Sequence, residues 1–106
     1  MKESEIQREI VDFLRTVGCS VWQTSQGYRK DPGGTRMTPG IPDIFVMHES
    51  GAWTWAEIKT PKGKLSEAQE AFRAECYLSG VRWRCWRDVR EAWDWSVEHG
   101  LVEEAA

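Results

Sequence analysis

The pattern of apolar and polar positions divides the chain into seven short elements. Ile6, Ile10, Phe13, Leu14 and Val17 recur at helical spacing, which predicts an amphipathic helix. Ser4 with Gln7 reads as a capping box at its start and Gly18 as its stop. Ser20 to Thr24 alternates polar and apolar and predicts a strand. After a loop, Ile41 to Met47 is an apolar run and Ala52 to Lys59 alternates, with His48-Glu49-Ser50-Gly51 as the hairpin turn between them. Ser66 caps a helix to about Leu78 that Gly80 ends, with Ala68, Ala71, Phe72 and Cys76 as its apolar positions. Val81 to Trp86 is a further strand, and Asp88 caps a last helix with Val89, Ala92, Trp93 and Val97 facing inward. The order is α-β-β-β-α-β-α. The two middle strands form an antiparallel hairpin and the last strand enters by a helical crossover. The expected architecture is α/β, a mixed sheet flanked by helices.

At 106 residues, one domain spanning 1–106 is expected, with the last few residues disordered. The apolar runs are too short to span a membrane. The start, Met1-Lys2-Glu3-Ser4-Glu5, has neither an apolar core nor a cleavage signal, so an intracellular, cytoplasmic location is expected. Cys19, Cys76 and Cys85 are odd in number and lack CxxC spacing, which argues against a disulfide framework or a zinc site. No organic cofactor is indicated, and neither His48, in a turn, nor His99, near the tail, reads as a ligand or base.

The net charge of −3 does not by itself favour a nucleic-acid partner. The distribution changes that picture. Acids crowd the first helix and the tail, whereas Arg29, Lys30, Arg36, Lys59, Lys62, Lys64, Arg82, Arg84 and Arg87 gather in the middle loops and the last strand. Phosphate binding requires a local positive surface rather than a basic total. The loop from Ser25 to Pro39 is rich in Gly, Pro, Arg and Lys, and a loop of that length in a small domain is usually functional.

The chemistry concentrates at one end of the predicted hairpin. Gly40-Ile41-Pro42-Asp43 opens one strand and Glu57-Ile58-Lys59 closes the next. Folding the hairpin at Gly51 brings Asp43 and Glu57 close together. Alternation puts Glu57 and Lys59 on one face, with Trp53 and Trp55 in the same parity as a floor. Magnesium prefers carboxylate oxygens and retained water, so Asp43, Glu57 and the backbone carbonyl of Ile58 are candidate ligands for Mg2+, or for Mn2+, which takes the same hard oxygens. Lys59 is suited to orient or help deprotonate water and to offset transition-state charge. An isolated Glu-x-Lys triplet means little. A Pro-Asp strand start followed by Glu-x-Lys across one hairpin is far more specific.

Gly40-Ile41-Pro42-Asp43, then Glu57-Ile58-Lys59, then Leu65-Ser66-Glu67-Ala68-Gln69, in this order of elements, resembles the PD-(D/E)XK nuclease superfamily, and within it the VRR-NUC domain, over nearly the whole chain. The resemblance implies a restriction-endonuclease-like core and a divalent-metal endonuclease that hydrolyses DNA phosphodiester bonds. It also implies likeness to Holliday junction resolvases, which act as homodimers on branched DNA. It adds Gln69 to the catalytic set, although Ser66 and Gln69 equally fit a helix cap. It adds a first-helix acid near the metal, best matched by Glu5 with Glu9 one turn further on, although acids at a helix start are favourable in any case. Arg29, Lys30, Arg36, Lys62 and Lys64 flank this site in sequence and are candidate DNA contacts. The surplus of tryptophan suits core packing, and also a subunit interface. Two alternatives stay open: a non-catalytic DNA-binding module with a nuclease fold, and a sequence-preferring nicking or restriction-like nuclease.

Overall fold

The computed structural model describes residues 1–24 and 38–103. The observed order is α1 (Glu3–Thr16), β1 (Ser20–Gln23), β2 (Ile44–Met47), β3 (Trp53–Ile58), α2 (Glu67–Ser79), β4 (Trp83–Trp86) and α3 (Val89–Glu98), the predicted α-β-β-β-α-β-α. The strands form one four-stranded sheet in the order β1-β2-β3-β4. β1–β2 and β2–β3 pair antiparallel, and β3–β4 pair parallel through the α2 crossover. The hairpin turn closes where Gly51 N–H donates to the His48 carbonyl at 2.9 Å and His48 N–H donates to the Ala52 carbonyl at 2.9 Å. Gly51 has φ +97°, a conformation that favours glycine.

Side-chain alternation gives the sheet two unlike faces. Val21, Ile44, Val46, Ala56, Ile58 and Trp86 point to one face and join Ile6, Ile10, Val11 and Leu14 of α1 and Ala92 and Trp95 of α3 in the buried core. Each large aliphatic side chain buried there contributes about 1.5–3 kcal/mol. The other face carries Phe45, Trp53 and Trp55, and α2 lies across part of it, with Phe72 packed edge-on against Trp55 at 5.8 Å between ring centroids. Trp55 also meets Phe45 at 5.0 Å.

Several boundaries differ from those expected. α1 begins at Glu3 with Lys2 as its N-cap, so Ser4 sits inside the first turn. Gln7 is not part of a cap, and its side chain donates instead to the Gln23 side chain at 3.1 Å. The strands are shorter by one to three residues, because ladder pairing stops before the flanking loops do. In α3 Ala92 is buried and Val89 packs half-buried against the core as expected, but the other fully buried positions are Trp95 and Ser96 rather than Trp93 and Val97. Trp86 of β4 selects that stripe by packing on Trp95 at 5.7 Å. In α2 only Cys76 is buried, and Ala71 is exposed, because the helix rests on the sheet along a narrow seam.

Gly40 sets how the chain enters β2. Its φ is +89°, and a Cβ there would lie 2.4 Å from the Ala68 carbonyl oxygen in the first turn of α2. Gly51 has a similar φ, but a Cβ there would meet nothing within 4 Å. Gly51→Ala is therefore expected to cost about 1–2 kcal/mol in backbone strain alone. Gly40→Ala should cost about 2–4 kcal/mol, because a backbone clash is added. Urea denaturation of both variants checks this, and equal losses would show that the Gly40 segment does not rest on α2.

Candidate active site

The site grows out of the hairpin register. Ile44 pairs with Ala56 and Phe45 with Trp55. Carrying that register onward sets Asp43 opposite Glu57 and Pro42 opposite Ile58. The His48–Ala52 bond shows that the even-numbered residues of this strand bond across to β3. Asp43–Glu57 is thus a non-hydrogen-bonded pair, the position at which facing side chains come closest. β1 holds the same segment from its other side, with Thr24 N–H donating to the Asp43 carbonyl at 2.9 Å and the Thr24 hydroxyl donating to the Pro42 carbonyl at 2.5 Å.

Pro42 shapes the next position. Having no N–H, it cannot donate to Ile58, so the Ile58 carbonyl receives no hydrogen bond from that strand. The Ile58 N–H donates to Asp43 Oδ2 at 2.8 Å. Asp43 is thereby aimed at the end of β3, beside a carbonyl that is open on this side.

Glu57 is 1% exposed, although it carries a carboxylate. Gln69 Nε2 donates to its Oε1 at 2.9 Å. Its Oε2 is buried and, among the described residues, receives no hydrogen bond. Burial is the main reason its pKa is pushed up to about 9. The hydrogen-bonding and charged proximity of Asp43 raises it further, Lys59 opposes the rise, and the charge of Glu3 adds to it. Two carboxylates in such proximity require either a shared proton or a cation between them.

Gln69 both caps α2 and touches Glu57. Its Oε1 accepts the Ser66 N–H at 2.8 Å, and its N–H donates to Ser66 Oγ at 3.2 Å, which completes the cap of α2. Its remaining amide donors face Glu57. The first turn of α2 is therefore tied to the carboxylate pair through one side chain.

The other candidates are dispersed. Lys59 continues β3, with its N–H on the Trp86 carbonyl at 3.1 Å. Lys62 and Lys64 are exposed on the loop that follows. Arg29, Lys30 and Arg36 lie outside the described residues. Glu5 is not brought to the pair, since its Oε1 is 3.4 Å from the Lys2 N–H, where it caps its own helix. The α1 acid whose charge acts on Glu57 is Glu3, which periodicity could not single out because the helix begins earlier than its capping signal. Cys85 pairs in register with Glu57, and burial pushes its thiol pKa up.

The donor set fits a hard divalent cation. A carboxyl oxygen to which no described residue donates, a facing carboxylate and an open carbonyl are all oxygen ligands. Among the described residues no group of three or more His, Cys, Asp or Glu side chains is placed to hold a metal. A sparse protein donor set of two carboxylates and a carbonyl suits Mg2+, which keeps several waters.

No protein-family model matches the chain, and no curated protein matches it. Among solved structures, a VRR_NUC domain superposes with a TM-score of 0.69 over 92% of this chain and 95% of that one, at 19% identity. The chain has the VRR_NUC fold. No helix among the described residues is long and apolar enough to cross a membrane.

A carboxyl whose folded pKa lies above its unfolded value binds a proton that the unfolded chain has lost. Its stabilising effect is complete below the unfolded value, about 4.5, and is lost as pH rises through the folded value, about 9. The metal-free protein should therefore lose stability across that window. Glu57→Gln should flatten the dependence, and Mg2+ or Mn2+ should stabilise the wild type more at the alkaline end. Thermal melts at a series of pH values test this, and identical profiles for wild type and Glu57→Gln would refute it.

Proposed function

We propose that this protein is a divalent-metal-dependent DNA endonuclease that hydrolyses phosphodiester bonds and is selective for branched DNA such as a Holliday junction. The observation that carries the reading is the facing Asp43–Glu57 pair, in which Glu57 is buried and one of its oxygens has no hydrogen-bond partner among the described residues, at the end of a hairpin in a VRR_NUC fold. Asp43, Glu57 and the Ile58 carbonyl hold Mg2+ or Mn2+. The cation supplies the charge that polarises the scissile phosphate and acidifies the attacking water. Gln69 keeps one Glu57 oxygen turned toward α2 and leaves the other for the ligand. Lys59 orients the water and offsets the negative charge that grows on the phosphoryl oxygens. Lys62 and Lys64, with Arg29, Lys30 and Arg36, contact flanking phosphates.

A homodimer is part of this reading. Trp22 is 60% exposed and Met47 40%, and both are large apolar side chains on the sheet. Covering them against a second copy would remove an unfavourable surface. A twofold dimer also presents two equivalent sites, which suits the pseudo-twofold symmetry of a four-way junction.

Cleavage of a four-way junction, a splayed arm and linear duplex, each with Mg2+ or Mn2+, tests the function. Metal-dependent cutting with preference for the junction is expected. Lys59→Ala should lower the rate by about 10²–10³-fold with folding and most DNA binding retained. Asp43→Ala should also weaken metal binding. DNA binding with no cutting of any substrate would instead establish a non-catalytic DNA-binding module, and equal rates on all three DNAs would remove the branched-DNA selectivity.

A further inference from the structure

We infer that Arg87 is a positioning residue that fixes the segment Lys59–Lys64, and through it the direction of the Lys59 side chain. The proposal rests on the site reading above for its catalytic consequence and on geometry alone for the clamp.

Register places Arg87 at the point of action. Glu57 pairs with Cys85 and Ile58 with Trp86 across the parallel β3–β4 ladder. One step further sets Lys59 beside Arg87, in agreement with the Lys59 N–H donating to the Trp86 carbonyl. Residues that pair in register share a face, so the Arg87 side chain leaves the sheet on the same side as Glu57 and Lys59. The charges of Arg87, Lys59 and Glu57 all act on the Cys85 thiol, which lies among them.

The guanidinium does not turn toward the carboxylate pair. Its Nη1 donates to the Gly63 carbonyl at 2.6 Å and to the Thr60 carbonyl at 2.7 Å, and the Pro61 carbonyl lies 3.4 Å away. These carbonyls belong to one tight turn, closed by the Gly63 N–H on the Thr60 carbonyl at 3.0 Å. The turn is close-packed at Gly63, where an added Cβ would lie 2.9 Å from Thr60 Oγ1. Arg87 is itself fixed at its backbone, where its N–H donates to Glu91 Oε1 at 2.9 Å. A charge-assisted clamp from β4 therefore holds the first residues after Lys59, and Lys62 and Lys64 ride on the clamped turn. A fixed turn directly after Lys59 restricts where its ammonium points. It also keeps the Arg87 cation engaged with neutral carbonyls, so that Asp43 and Glu57 remain available as ligands.

Arg87→Met and Arg87→Lys, with the exposed Arg90→Met as a control, test the inference in two ways. Hydrogen–deuterium exchange of the metal-free full chain reads the clamp without any cleavage. Exchange at residues 60–64 should rise by about tenfold or more in Arg87→Met while α1 keeps its protection, with Arg87→Lys in between. Steady-state cleavage then reads positioning. In Arg87→Met kcat should fall roughly ten- to a hundredfold with KM within about threefold, because misdirection of a catalytic group acts on the chemical step. Unchanged exchange at 60–64 would overturn the clamp. A loss of activity that only tracks the unfolded fraction, or appears in KM alone, would overturn the positioning role. A wild-type protein that cuts no DNA would sink the nuclease reading, and with it the catalytic consequence, while the exchange result would still decide the clamp.

Discussion

Asp43 and Glu57 face each other at a non-hydrogen-bonded position of an antiparallel hairpin, and much of the structure serves to keep them there. Two carboxylates repel, and burial makes the charged state of Glu57 worse. The arrangement persists because each acid is held by a group that does not move. Asp43 accepts from a strand amide, and Glu57 accepts from a side chain that also caps a helix. Pro42 is the hinge of this design. By withholding a donor it leaves the Ile58 carbonyl open on this side, while its own carbonyl accepts from the Thr24 hydroxyl and the Ile58 N–H donates to Asp43.

The two faces of the sheet divide the labour between stability and access. α1 and α3 seal one face with aliphatic side chains and Trp95, and the buried Thr54 hydroxyl on β3 donates to the Trp55 carbonyl at 2.8 Å. α2 lies on the other face and buries little beyond Cys76. A site for a polymer substrate needs such an open face. Its residues are still precise in position because they sit at strand ends and at a helix start, whose backbones are fixed by the sealed side.

Electrostatics on the open face are arranged as a gradient. The unpaired Glu57 oxygen lies deepest, Lys59 stands at the strand end, and Lys62 and Lys64 are exposed beyond it. A chain of net negative charge can then still present a positive approach to an anionic strand, since only the local field matters at a phosphate. Outside this zone, several basic side chains among the described residues are engaged elsewhere. Arg84 pairs with Glu98, Arg90 pairs with Asp94, and Arg82 lies over the Trp53 ring.

Periodicity and turn chemistry were enough to read the seven elements and their order, because apolar spacing, Gly51, Gly80, Ser66 and Asp88 are local signals. They were also enough to place Asp43 and Glu57 together, since a hairpin of known turn converts sequence distance into spatial distance. What they could not supply was anything set by contact between distant segments. The α3 face was misread because Trp86, on another element, selects Trp95 over Trp93. Gly40 read only as part of the motif that opens a strand, whereas its close approach to Ala68 ties the strand entry to α2. Glu3 and Arg87 carry no local mark, and only the packing of α1 and β4 around the hairpin gives them a relation to Glu57 and Lys59. The sequence by itself determined which residues could form a carboxylate pair. The tertiary structure decided how deeply Glu57 is buried, which oxygen is left without a donor and which side chains hold the pair in place, because burial and orientation are properties of the surrounding elements rather than of the strands that carry the acids.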